Sequence, residues 1–440
     1  MKTFIKSLGW LCFAALLAFS GCAKKKSTSW SSYSDPVVTA QMKSFVTEKE
    51  AQANAAVRAN GQSMPPELNR FFKDADKGDW TAVNSDFKEL RDHAPQYEHS
   101  GSTDLHLRGT AWAAVVEIWG VFDAMSEGGQ KYSTLYANEI INSIPPGSIY
   151  FGGTDPGRFL ITGMEKNQAK GDPFYLITQN ALADDTYLDY VRSMYGKQLY
   201  IPTMEDSEKC FRDYTEDAKK RAKNHQLKPG ENVQVDSQSG RVAISGEVAV
   251  MEINGLIAKV VFDQNSNEDF YVEQSFPLDW MYPYLEPHGM ILKLDRHPLP
   301  NLSDAILKED RDYWSNLIQP MIGNWLIGDT SVQQLSDFVK KTFRQHDFTG
   351  FSGDPQFFRD SYACKMFSKE RASIAELYLW RMGHATNPED KQRMAHEADF
   401  AFKQALALWP QTPEAVSEYK KMLTEEGRDS DASVVTRLGE

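Results

Sequence analysis

The residues best placed to do chemistry lie in Gly152-Gly153-Thr154-Asp155-Pro156-Gly157-Arg158-Phe159, a glycine-rich loop that follows a short apolar run and opens a helical pattern. Backbone N–H groups at such a strand-to-helix turn, with the helix dipole behind them, attract anions, and α/β sheets usually bind ligands at this edge. Asp155 could accept sugar hydroxyls or hold a cation, and Arg158 could pair with a carboxylate or phosphate. The structural alternative is a turn in which Asp155 caps the helix and Arg158 pairs with a neighbouring acid. The loop lacks GxGxxG and GxxxxGK(S/T) spacing, so a nucleotide fold is not supported. Gln179, Asn180, Asp184 and Asp185 follow the next apolar run and would lie beside the loop if the two runs are neighbouring strands. Amides and carboxylates on adjacent loops suit carbohydrate hydroxyls. Asp184 has a competing role as a helix N-cap, and acid–base work by these carboxylates depends on a separation that sequence does not give. Gly152, Gly153, Asp155, Arg158, Gln179, Asn180 and Asp184 are the expected ligand-binding set, and no residue is assigned a catalytic role.

Other candidates are weaker. His93, His99 and His106 are spaced by six and seven residues with Pro95 between them, which suits loop histidines better than metal ligands. His288 and His297 flank a predicted strand and read as surface residues. Trp280, Tyr282 and Tyr284 offer flat faces for sugar stacking, or equally a packed aromatic cluster between a strand and a covering helix. The chain has no HExxH, GxSxG, CxxC or Cys–His pattern, so no metal and no cofactor is expected.

The start of the chain bears on location. Lys2 and Lys6 precede an apolar run from Ser7 to Phe19, and Ser20-Gly21 leads directly into Cys22. The run is shorter than the roughly 20 residues a bilayer span needs and has the build of a secretory signal core. The Ser-Gly-Cys ending resembles a bacterial lipoprotein box, which implies removal of residues 1–21 and acylation of Cys22; the alternative is an ordinary signal peptide with an incidental cysteine. Ala23 after the cysteine, in place of Asp, implies sorting to the periplasmic face of the outer membrane. Lys24, Lys25 and Lys26 could meet anionic headgroups, at about 1 kcal/mol each near the surface, or simply begin a solvated spacer. Net charge is −13, and −15 without the signal, so nucleic acid is not an expected partner. Cys210 and Cys364 remain after processing; an oxidising compartment would permit a disulfide, and two buried free thiols fit equally.

These residues need elements to hold them. A Ser- and Lys-rich tether over 23–40 leads to a polar helix at 41–60 with little to bury, the two forming a segment 22–63. Leu68, Phe71, Phe72, Trp80, Val83, Phe87 and Leu90 recur at helical spacing, and Gly109 to Glu127 forms an apolar helix, within a helical region 64–144. From 145 to 297 short apolar runs alternate with helical ones. Strands are expected at 148–151, 174–178 and 198–201, helices at 159–166, 184–195, 204–225 and 247–261, a polar loop over 228–240, and strands at 270–274 and 290–294. Helices return over 298–440, at 303–322, 332–343 and 360–384. There Ala398, Ala401, Ala405, Leu408 and Pro410, then Pro413, Ala415, Tyr419 and Leu423, follow the tetratricopeptide rhythm of about 34 residues. The expected fold is α+β, mostly α: a small α/β domain flanked by tetratricopeptide-like helical repeats.

Three segments of the middle region, IPPGSIYFGGTDPGRF, DPFYLITQNALADDTYLDYVRSMYG and VAVMEINGLIAKVVF with FPLDWMYPYLEPHGMILKL, resemble the soluble region that follows the membrane spans in protein O-mannosyltransferase-like membrane proteins. The resemblance covers about 140–297 and implies an Asp-bearing loop after a strand, a second strand with an Asn-containing turn, and a closing hairpin. Glycosyl transfer in that family is expected in the multi-span part, for which this chain has no counterpart segment. Together these readings point to a lipid-anchored periplasmic scaffold in envelope assembly or protein glycosylation, held to the membrane by its lipid and meeting protein partners through its repeats. The alternatives are a glycan-acting transferase or hydrolase using Asp155, Asp184 and Asp185, and a glycan-binding module.

Overall fold

The computed structural model describes residues 35–59, 61–93, 110–235, 242–273 and 278–439. The expected signal segment, Cys22, Lys24 to Lys26, His99 and His106 lie outside the described residues, as does the side chain of His93. The fold is α+β and mostly helical. It divides into two compact units, one holding the described residues up to Ser126 with Pro146–Glu268, the other Glu127–Pro145 with the chain from Asp269 onward. Of the 145–297 stretch, Pro146–Glu268 lies in the first unit and the remainder in the second.

The first unit opens with α1 (Pro36–Ala59), and here the expectation of a helix with little to bury is wrong. Val38, Met42, Phe45, Val46, Lys49, Ala53 and Val57 are buried along one side, because they recur at intervals of about three to four residues and so share a face. Helix α2 (Pro66–Asp76) begins with Pro66, whose missing N–H is harmless in a first turn. It turns through Gly78 at φ +72° into α3 (Trp80–His93). The seven apolar residues predicted for this pair are all at most 3% exposed. Helix α4 (Thr110–Glu127) packs on α3 through Phe87, whose ring stacks 4.4 Å from Trp119 and 5.7 Å from Trp112. Gly120 of α4 lies against the ring of Phe159, where a Cβ would come within 2.3 Å, so a larger residue would push this ring away. Helix α5 (Gln130–Ser143) belongs to the second unit.

Strand β1 (Ile149–Gly152) leads through a π-helical turn (Pro156–Leu160) and α6 (Ile161–Met164) to β2 (Tyr175–Thr178). The two strands are parallel, with Ile149 opposite Tyr175 and Gly152 opposite Thr178. Helices α7 (Asp185–Tyr195) and α8 (Met204–Lys223) follow as expected. The strand predicted at 198–201 does not form. Leu199 and Ile201 are buried, but the N–H and C=O of Tyr200 bond to the side-chain amide of Asn265 at 2.8 and 3.0 Å, so an amide takes the place of a strand partner. The predicted loop 228–240 instead contributes β3 (Asn232–Val235), which pairs antiparallel with β4 (Val242–Ser245) ahead of α9 (Glu247–Gln264).

In the second unit β5 (Phe270–Val272) and β6 (Leu285–His288) each pair antiparallel with β7 (Ile291–Leu294). The β6 segment carries Pro287; it pairs with β7 alone, where a missing N–H is tolerated. Helix α10 (Asp304–Ile322) and α11 (Val332–Val339), the latter extended by a π-helical turn (Lys340–Arg344), lead to the longest hairpin, α12 (Ser361–His384) and α13 (Pro388–Leu408). Ser368 reaches Ala405 and Arg371 reaches Gln404, an order that marks the two helices as antiparallel. Ala398, Ala401 and Ala405 are fully buried and let the helices approach closely. Helices α14 (Pro413–Glu425) and α15 (Asp429–Gly439) complete the unit, with Tyr419 stacked 5.3 Å from Phe402. Cys210 and Cys364 lie in different units, each buried and free; burial pushes the Cys210 thiol up to about 11.

Candidate functional site

Because β1 and β2 are parallel neighbours, the loops that follow them leave the same edge. The first loop folds back on its own strand. Tyr150 Oη donates to Gly157 O at 2.8 Å, Gly157 N–H donates to Thr154 Oγ1 at 3.1 Å, and a Cβ on Gly152 would sit 3.0 Å from Gly157 O. The second loop is tied to the first by Asn180 Nδ2, which donates to Gly153 O at 2.9 Å. Asn254 of α9 fastens it further, donating to Asn180 O at 3.0 Å and accepting from Ala183 N–H at 2.6 Å. The structure thus brings Gly152, Gly153, Asn180 and, beside it, Gln179 into one loop pair.

The charged members have local partners. Arg158 is 5% exposed; its Nη2 lies 3.2 Å from Asp155 Oδ1 and its guanidinium rests 3.9 Å from the Phe159 ring centroid. Asp184 is the N-cap of α7, accepting from Thr186 N–H at 2.8 Å and Thr186 Oγ1 at 2.7 Å. Asp185, in the first turn of α7, has its carboxyl pushed up by burial and by the neighbouring charges of Asp184 and Asp189. Arg158 Nε and Asn180 Oδ1 are among the buried polar atoms at this edge that have no hydrogen-bond partner.

Sequence reasoning missed a second cluster in the same unit. Lys49 is fully buried on α1, and its Nζ sits 2.5 Å from Glu117 Oε2 of α4, 2.7 Å from Tyr190 Oη, and in contact with Gln168 Oε1. Tyr190 Oη in turn donates to Glu117 Oε2 at 2.7 Å, and Tyr195 Oη donates to Gln168 O at 2.8 Å. Near this pair is Glu165, 2% exposed, with both carboxyl oxygens buried and unbonded. Burial raises its pKa well above the ordinary carboxylate value; Lys49 opposes that, while Glu117 and Glu48 add to it. Tyr187 lies between the cluster and the loop pair. Its hydroxyl accepts from Thr178 N–H at the end of β2, and burial pushes it up to about 12, with Glu117 raising and Arg158 lowering the value. The sequence signal for Lys49 was its place on the apolar stripe of α1, four residues from Phe45 and from Ala53.

In the second unit the aromatic trio is part of a packed arrangement. Tyr282 stacks 5.4 Å from Trp380, Trp380 stacks 4.0 Å from His384, and Trp280 meets Tyr284 edge-on at 6.4 Å. His297 is exposed as expected, but His288 is not a surface residue: it is half-buried, with Nε2 2.8 Å from Ser143 O and its ring 4.9 Å from Tyr271. Among the described residues no three His, Cys, Asp or Glu side chains are gathered closely enough to hold a metal ion, and no helix is long and apolar enough to cross a membrane. Comparison with protein-family models, with curated proteins and with solved structures finds no match in any of the three.

Proposed function

We propose that this protein is a lipid-anchored scaffold of a bacterial envelope, attached through Cys22 at the periplasmic face of the outer membrane and working by interaction without chemistry of its own. The observation that carries the reading is the engagement of the candidate carboxylates: Asp184 caps α7 and Asp155 pairs with Arg158. On this reading α12 to α15 act as tetratricopeptide-like repeats whose surfaces take protein partners, and the 140–297 region is kin to the soluble part of O-mannosyltransferase-like proteins. Anchoring raises the local concentration of the scaffold for membrane-bound partners.

Fractionation of cells carrying the full chain tests the anchor. The protein should sediment with outer membranes and a Cys22→Ala variant should appear in the soluble periplasmic fraction; identical behaviour of the two would remove the anchor. A triple variant, Asp155→Asn, Asp184→Asn and Asp185→Asn, tests the absence of chemistry. It keeps an N-capping side chain at position 184 and should reverse any defect caused by loss of the protein. A folded triple variant that fails to do so overturns a purely structural role for these carboxylates and leaves an enzyme or a ligand-binding module.

A second reading, a glycan-binding module, is favoured by Arg158 Nε and Asn180 Oδ1, a donor and an acceptor left unused at the loop edge. A thermal shift with glycan fragments that Arg158→Ala abolishes would select it.

A further inference from the structure

The second unit contains a cavity of about 140 Å3 where the segment after β7 meets the end of α12 and the start of α13. Its polar lining is Asn301, Arg381, His384, Asp390 and Arg393, with Trp380 as part of the wall. Arg381 is 6% exposed and makes no ion pair; its Nη1 and Nη2 donate to the backbone carbonyls of Leu299 and Leu285 at 3.1 and 2.7 Å. Carbonyls accept hydrogen bonds without neutralising the charge. Burial accordingly pushes this guanidinium down to about 10, against the pull of Glu286 and Asp295, both of which are bound to Lys293. Its Nε is buried with no acceptor.

Arg393, from the next helix, lines the same cavity and is anchored at the other end of its fork, Nη1 to Asp304 at 2.6 Å and Nη2 to Asp390 at 2.9 Å. Its Nε is likewise buried and unbonded. His384 Nδ1 lies 2.8 Å from Trp380 O; since a carbonyl only accepts, Nδ1 carries the hydrogen and the ring is held against Trp380. Two guanidinium N–H donors without acceptors, one of them on a buried charge without a counter-ion, thus belong to residues lining one small cavity. An oxyanion could accept from both and neutralise the first.

We propose that this cavity binds a small oxyanion, a carboxylate or phosphate group, through the Nε–H groups of Arg381 and Arg393. The site is independent of the membrane anchor and of the loop pair in the first unit.

Isothermal calorimetry on the full-length chain in detergent tests it, at constant ionic strength with chloride as background, using sodium phosphate in one arm and sodium acetate in the other. Saturable binding is expected in at least one arm; the arm that binds distinguishes a phosphate-bearing from a carboxylate-bearing ligand. Arg393→Gln should weaken it by about 10-fold or more, the loss of a charge-assisted hydrogen bond. Arg381→Lys keeps the charge but loses the rigid fork and should weaken it comparably. Because Arg381 also pins two carbonyls, Arg393→Gln decides if the Arg381 variant does not fold. Flat titrations in both arms, or binding that folded variants leave within about twofold of the original, overturn the proposal.

Discussion

Each unit buries a charged network, and the two differ in how completely it is bonded. In the second unit Arg371 and Asp310 are 0% and 3% exposed; Arg371 Nη1 reaches both Asp310 oxygens at 2.8 and 2.9 Å. Gln404 takes the Arg371 Nε–H at 2.7 Å, and Tyr378 donates to Asp310 at 2.7 Å. None of these four side chains has a buried polar atom lacking a hydrogen bond. In the first unit Lys49 and Glu117 are paired just as closely, yet Glu165 stands near them with two unbonded oxygens. A saturated network locks helices together, whereas an unsaturated one stores a penalty that a neutral group of the same shape would relieve.

The largest effect should come from breaking the saturated network. Asp310→Ala leaves the Arg371 guanidinium buried without its counter-ion and should cost about 3–5 kcal/mol, read as a fall in the urea midpoint. Replacing both partners with apolar residues, Arg371→Met with Asp310→Leu, should recover most of that loss. A single-variant cost near zero would place the network's contribution elsewhere.

The comparison sharpens at Glu165, where Glu165→Gln should stabilise the protein at neutral pH by about 1–3 kcal/mol, the range for a buried group without its partner. The sign follows from linkage. Folding raises this pKa above its ordinary 4.5, so the native state holds the extra proton and stability falls as pH rises above about 4.5. Glu231 of the same unit should behave in the opposite way. Burial disfavours its charge, but hydrogen bonds from Arg221, Tyr214 and Lys228 N–H outweigh burial and hold it at about 2. Its contribution is complete above 4.5 and is lost as pH falls from there toward 2. Stability measured against pH should therefore lose its neutral-side decline in Glu165→Gln and part of its acid-side decline in Glu231→Gln. Parallel curves for Glu165→Gln and the unmodified chain would mean that Glu165 is ionised when folded.

Much of the fold was legible because period and punctuation agreed: the stripe from Leu68 to Leu90, the run from Thr110, and the short apolar runs before Gly152 and Gln179 all became the predicted elements. Failures came where a tertiary partner decided. Three apolar residues at 199–201 are as compatible with an extended loop as with a strand, and only Asn265, more than 60 residues on, supplies the amide that decides between them. Lys49 lies in the helix expected to bury little, and lysines usually stay in water, although its neighbours on the stripe are core residues. The loop pair was legible as a place, since parallel strands put their following loops at one edge; the use made of each side chain there was not. Arg381 and Arg393 carried no sequence signal, being helical arginines among several.

Asp184 is where the smallest effect is most informative. If its carboxylate only caps α7, Asp184→Ala should cost about 1 kcal/mol and Asp184→Asn only a few tenths, because an amide oxygen accepts from the Thr186 N–H almost as well. A ligand-binding or acid–base role makes a different demand, since the amide lacks the charge and cannot exchange a proton. Thermal denaturation of the two variants, set beside recovery of whatever defect follows loss of the protein, separates the cases. Asp184→Asn that is stable and fully restoring leaves the residue a cap, and the unbonded Arg158 Nε and Asn180 Oδ1 are then the loop pair's remaining difference from the saturated network of the second unit. Asp184→Asn that is stable but fails to restore would mark the loop pair as a region whose bonding is completed from outside the chain.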